Sequence, residues 1–177
     1  LALLVTVLDN VLPVLTARWA ENDRAGFKTV LQKACDVMVI FALPLIIGTQ
    51  FIARQTMVFV AGEEFFQSAP VLQILIVAAG VIFPGTMFAH AIIAIDRQKK
   101  IIGAYIFTAV TAVIGYLVFI PRFSYFGAAW VTIYSEIFIA AASFYLVWKY
   151  TGFSPRLTAA LKAAAAAGVM ALALYGC

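Results

Sequence analysis

The sequence predicts an all-α fold, a polytopic transmembrane bundle of six helices. Three observations predict it. Hydrophobic residues make up 65% of the 177-residue chain and charged residues only 11%, against about 45–50% and about 25% in soluble domains. The mean hydropathy is +1.04. Apolar runs recur at lengths of about 20 residues, enough helix to cross a hydrocarbon core about 30 Å thick. This composition excludes an ordinary soluble enzyme, a disordered segment and a nucleic-acid-binding domain, so no nucleic-acid partner is expected.

The spans follow in order. Residues 1–17 open in apolar sequence, without an initiator Met, a basic leader or a small-residue cleavage site. Residues 34–53 form the second span and residues 68–95 a longer third. Residues 101–120 carry no charge, and residues 127–148 carry one, Glu136. Residues 157–177 are alanine-rich and stop without a polar tail. These ends predict a piece of a longer protein, here a single transmembrane domain covering 1–177. The longest connections, residues 18–33 and 54–67, are too short to hold a soluble domain. Ser154 and Pro155 are expected to be the N-cap and first-turn proline of the last helix.

Orientation follows from the basic residues. Connections on one side hold Arg18, Arg24, Lys28, Lys33, Arg97, Lys99, Lys100, Lys149, Arg156 and Lys162, and those on the other hold Arg54 and Arg122. The positive-inside rule places the first set in the cytoplasm. Trp19, Trp148 and Tyr150 then mark the cytoplasmic interface, and Phe123, Tyr125, Phe126 and Trp130 the outer one.

Three prolines, Pro13, Pro44 and Pro84, fall inside spans and predict kinks. Each frees the carbonyl four residues earlier, at Asp9, Ile40 and Gly80. Such kinks are either ordinary bends or the flexing points of a carrier. Ala104, Thr108, Thr111 and Gly115 share one helical face, as do Ala129, Thr132, Glu136, Ala140 and Ser143. Small residues on both faces predict a packing seam, with a substrate surface as the alternative, whereas Val131, Tyr134, Phe138 and Tyr145 are expected to face lipid.

Two intramembrane polar groups stand out. Glu136 lies about nine residues, roughly 13 Å, from the outer end of its span. A carboxylate at that depth must be protonated, paired or wet. It is either a site coupling H+ or Na+, an acceptor for sugar hydroxyls, or a protonated side chain tying helices together. Asp9 and Asn10, beside the carbonyl freed by Pro13, form a second candidate for a cation or a hydroxyl-rich ligand. Asp36 is expected to pair with Lys33 at the surface, Asp96 to stay solvated, and His90 to be a cavity or capping residue. Residues 97–100 are a topology signal or a contact for anionic membrane lipids. Cys35 and Cys177 form no metal or disulfide pattern, and no catalytic, cofactor or metal-binding motif occurs. The chain is not expected to be an enzyme or to need a cofactor.

Three stretches carry a family resemblance: LDNVLPVLT at 8–16, VFVAGEEFFQSAPVLQILI at 58–76 and IPRFSYFGAAWVTIYSE at 120–136. Together with the Leu43-Pro44 pair, they resemble the C-terminal half of polysaccharide and O-antigen flippases. That superfamily also includes multidrug exporters and the lipid II flippase. The resemblance covers nearly the whole chain and implies a two-lobe transporter of which these six helices form most of one lobe, the N-terminal half supplying the other. It also implies alternating access in a bacterial inner membrane. The cargo implied is an undecaprenyl-diphosphate-linked oligosaccharide, moved from the cytoplasmic to the periplasmic leaflet during polysaccharide or lipopolysaccharide synthesis. No family residue with a fixed role transfers, and no intramembrane Arg is present to grip a diphosphate. Lys162, the one basic residue inside a span, lies close enough to the cytoplasm to snorkel.

Overall fold

A computed structural model describes residues 2–156 and 158–175, with side-chain surroundings for residues 10–156 and 158–171. Every regular element among the described residues is helical. In chain order these are α1 (Ala2–Ala20), α2 (Arg24–Ala61), a 3-10 turn at Glu63–Ser68, α3 (Ala69–Ala94), α4 (Gln98–Thr151) and α5 (Thr158–Tyr175). Three helical stretches, Arg24–Ala61, Glu63–Ala94 and Gln98–Thr151, are long and apolar enough to cross a membrane. The protein is an all-helical, membrane-embedded chain.

Among the described residues there are five α-helices rather than the expected six, because the spans at 101–120 and 127–148 belong to one 54-residue element, α4. That element is bent back on itself at Ser124, whose φ of 52° and ψ of −137° interrupt the helix. The rings of Phe107 and Phe138 would lie about 46 Å apart along a straight helix, yet their centroids are 5.3 Å apart. Tyr116 and Thr132 share a hydrogen bond of 3.2 Å across the same hairpin. The close turn depends on Gly127, where an added side chain would collide with the Phe119 carbonyl. Residues 121–126, expected as an open connection, are therefore helical on either side of a single broken residue.

The helices also extend beyond the apolar runs. α2 covers most of both segments expected as loops, 18–33 and 54–67. It starts early because the Asp23 carboxylate caps it, accepting from the Gly26 N–H at 2.8 Å and holding Arg18 at 3.1 Å. It stops at Gly62, with φ of 95°. Pro13, Pro44 and Pro84 lie inside α1, α2 and α3 as expected. The last helix starts differently. Ser154 and Pro155 sit in a non-helical segment, and α5 begins at Thr158. Gln32 holds that segment out of helical geometry by bonding both backbone groups of Arg156.

α3 is central. It packs against the α4 hairpin on one side and against α1 and α2 on the other, while α5 lies on the far side of α2. The packed core gathers at one end, where Leu15, Phe27, Leu31, Met38, Met87, Ile92, Ile101, Val147 and Phe153 form one buried cluster. At that end Trp19 meets Phe27 edge-on at 5.3 Å and Arg24 stacks 3.3 Å over Trp19. Towards the other end large side chains such as Ile106, Val113, Leu117 and Trp130 stand exposed on the helix surfaces, as lipid-facing groups do. Val131 departs from the expected lipid face: it is buried against Gly115 inside the hairpin.

The basic residues separate by end as the sequence predicts. Arg24 and Lys28 at the start of α2, Arg97 at the start of α4 and Arg156 before α5 meet around the core cluster. Arg97 lies 5.0 Å from the Tyr150 ring, and Gln32 reaches Arg156. Arg54 lies at the opposite end, 5.4 Å from the Phe66 ring.

Candidate functional site

Glu136 lines a cavity of about 380 Å³ between α3 and the two legs of α4. Of the two small-residue faces foreseen on the legs, Thr108, Glu136 and Ala140 line this cavity, whereas Thr111 and Gly115 meet Tyr134 and Val131 of the other face instead, and α3 supplies the third wall. Gly85 on α3 comes within 3.4 Å of Ala140, measured from where its side chain would begin. That close approach brings α3 against the Glu136 leg. Thr108 is buried and Glu136 half-buried.

The wall chemistry is specific. Thr108 Oγ1 donates to the Ala104 carbonyl at 2.8 Å, Thr86 Oγ1 to Phe83 at 2.7 Å and Ser135 Oγ to Thr132 at 2.8 Å. With their protons committed to the backbone, these three hydroxyls offer the cavity only oxygen lone pairs. Glu136 adds two more acceptor oxygens, and Tyr105 is the remaining hydroxyl in the wall. No Lys, Arg or His lines the cavity, and no hydrogen bond or ion pair reaches Glu136 among the described residues. An acceptor-rich apolar cavity holding one carboxylate receives a proton, a cation or hydroxyl donors. It disfavours an anion.

The second candidate is not joined to the first. Asn10 is exposed on α1 and does not line the Glu136 cavity. The Asp9 side chain lies outside the described residues. Pro84 lies in α3 between Ile82 and Gly85, two residues of the cavity wall, so the carbonyl of Gly80 loses its usual helical donor one turn before the site. Pro13 and Pro44 lie in other helices. No group of three or more His, Cys, Asp or Glu residues suited to a metal ion occurs among the described residues.

Asp36 corrects the surface pairing foreseen from its spacing. Its carboxylate accepts from Gln32 Nε2 at 2.7 Å, and no ion pair joins it to Lys33 among the described residues. Asp96 is exposed with φ of 53°; it turns the chain between α3 and α4. His90 is half-buried on α3.

Two polar pairs went unnoticed in the sequence. Gln50 and Gln73 cross between α2 and α3, each amide donating to the other residue's backbone carbonyl, at 3.0 and 2.8 Å. Amides inside apolar runs signal such interhelical bonds, but nothing in the sequence tells which two meet. Tyr116 with Thr132 is the other pair, fixed only once the hairpin closes. No protein-family model, no curated protein and no solved structure matches the chain.

Proposed function

We propose that this chain is the C-terminal part of an alternating-access membrane carrier, and that Glu136 is its coupling or binding carboxylate. The observation carrying this reading is the acceptor-rich cavity around Glu136, which holds no Lys, Arg or His and is set inside an apolar bundle beside Pro84. A merely structural carboxylate is expected to be hydrogen-bonded to a neighbouring helix; Glu136 instead faces open volume. With the two legs of α4 counted as separate crossings, the chain crosses the membrane six times and forms most of one lobe of a two-lobe transporter. Its basic end then faces the cytoplasm of a bacterial inner membrane. The cargo is the one implied by the flippase resemblance, a lipid-linked oligosaccharide moved to the outer leaflet, with H+ or Na+ entering at Glu136. The protein is a carrier, not an enzyme, and needs no cofactor.

One observation favours a second reading, a cation-coupled exporter of small molecules. The cavity contains an acid and no base, which suits a cationic cargo better than a diphosphate. The test is gradient-driven transport by the complete protein in proteoliposomes, comparing wild type with Glu136→Gln. Glutamine keeps the side-chain volume and removes the charge. Loss of ion-dependent transport, with unchanged expression and melting temperature, is the expected result; undiminished transport would return Glu136 to a packing role. Supplying a lipid-linked oligosaccharide or a lipophilic cation as cargo separates the two readings.

A further inference from the structure

A second cavity, of about 410 Å³, opens at the basic end between the first turns of α2 and the segment joining α4 to α5. Lys28, Lys33 and Arg156 line it together with Ser154, and no acidic residue does among the described residues. Among the described residues the ion pairs are those of Arg18 with Glu21 and Asp23, so all three cations lack a carboxylate partner. Asp36, the nearest acid in sequence, bonds to Gln32 rather than to Lys33. Three like charges around one hollow repel each other and focus positive potential into it. An anion relieves that repulsion.

The hollow is held by a scaffold and is not a chance gathering of surface lysines. Gly152 ends α4 in the left-handed conformation, φ 62°, and Phe153 is buried in the core cluster. Thr151 Oγ1 accepts from the Phe153 N–H at 3.1 Å. Gln32 then fixes Arg156 from both sides, accepting from its N–H at 2.8 Å and donating to its carbonyl at 3.1 Å. The outcome is a fixed backbone presenting the Arg156 guanidinium and the Ser154 hydroxyl across from Lys28 and Lys33 on α2. Every one of these four groups is a donor, and three of them belong to basic side chains. The donor set is the inverse of the Glu136 cavity, where acceptors prevail.

We infer that this cavity binds a phosphate ester at the basic interface, supplied either by the headgroup of an anionic lipid or by a soluble phosphate compound. Basic hollows between helices at the cytoplasmic surface favour such headgroups, and the guanidinium fork suits phosphate oxygens. The inference does not depend on the transport reading, since separate variants and separate readouts test the two.

The experiment uses the complete protein in neutral detergent, titrated with phosphatidylglycerol, phosphatidylcholine and inorganic phosphate, with retained ligand measured by native mass spectrometry. Wild type is expected to retain phosphatidylglycerol over phosphatidylcholine. The double variant Lys33→Gln, Arg156→Gln should bind phosphatidylglycerol about thirtyfold more weakly. Lys99→Gln with Lys100→Gln, which removes equal charge at the same end but outside the cavity, should change binding by less than about threefold. Displacement of the lipid by inorganic phosphate would assign the site to the phosphate group alone, and resistance to displacement would assign it to the intact lipid; either supports the inference. Lys33→Gln alone leaves every scaffold hydrogen bond in place and should weaken binding about fivefold, a readout that stands even if the double variant misfolds. Equal retention by the cavity variants, equal loss in the Lys99 and Lys100 control, or no preference for phosphatidylglycerol would overturn it.

Discussion

Single side chains decide where these helices begin, where they pause and what their cavities accept. Asp23 is the clearest case. One carboxylate caps α2 through the Gly26 N–H and also holds Arg18 at the end of α1. Asp23→Ala should therefore destabilise the protein by about 1 kcal/mol through the lost cap, with little added by the exposed ion pair. A denaturation midpoint in detergent, compared with Asp23→Asn, checks this: asparagine keeps the cap and should recover most of the loss. Gln32 works at the same scale, and its contact with Arg156 lies 124 residues away in sequence. No spacing rule reaches that far. For the same reason the Lys33 and Asp36 spacing suggested a pair that does not form: the neighbouring amide of Gln32 takes the carboxylate first. Glu136, in contrast, was legible from the sequence, because a lone charge in an apolar span is conspicuous on any helix. Its companions Thr108, Ser135 and Thr86 were only partly legible, since two lie on other helical segments.

At the scale of elements, the α4 hairpin positions both the cavity and an aromatic rim around its turn. Phe123, Tyr125 and Trp130 stand exposed around its turn, where interfacial aromatics are expected. The turn closes because Gly127 lets its backbone lie against the Phe119 carbonyl. Gly127→Val should force the legs apart and cost about 1–3 kcal/mol or more. It should also lengthen the Phe107–Phe138 approach. Cysteine crosslinking between those two positions, efficient in the parent and lost in the valine variant, is the expected outcome; efficient crosslinking in both would show that the turn tolerates a side chain. Ser154 and Pro155 teach the converse lesson. Their order fits a helix start, yet a buried Phe153 and the two hydrogen bonds between Gln32 and the Arg156 backbone fix the segment in another conformation. Tertiary contacts overrode local preference there.

The whole molecule separates charge by end and packing by end. Basic residues and the buried cluster share one end, while large apolar side chains such as Leu117 and Trp130 stand exposed towards the other. If the positive-inside rule sets the orientation, Lys99 and Glu64 lie on opposite sides of the membrane. Single cysteines at those positions, introduced as Lys99→Cys and Glu64→Cys with Cys35 and Cys177 replaced by serine, test this with an impermeant maleimide on intact cells. Only Glu64→Cys should label until the cells are opened. Labelling of Lys99→Cys first would invert the molecule and move the phosphate-ester cavity to the outer face.

The sequence by itself determined the helical class, the apolar helices that embed the chain in a membrane, the prolines inside them, the separation of basic residues by end and the lone carboxylate in an apolar run. Each of these is a property of composition or of spacing along one helix, and lipid enforces it because an unbonded backbone is intolerable there. The tertiary structure alone decided that the fourth and fifth apolar runs form one hairpin, that Val131 is buried, that Glu136 faces a three-walled cavity, and that Lys28, Lys33 and Arg156 surround a common hollow. Lipid solvates an apolar side chain as well as a neighbouring helix does. Hydrophobic pattern therefore cannot tell the two faces apart, and the choice falls to close packing at small residues and to polar contacts between segments far apart in sequence.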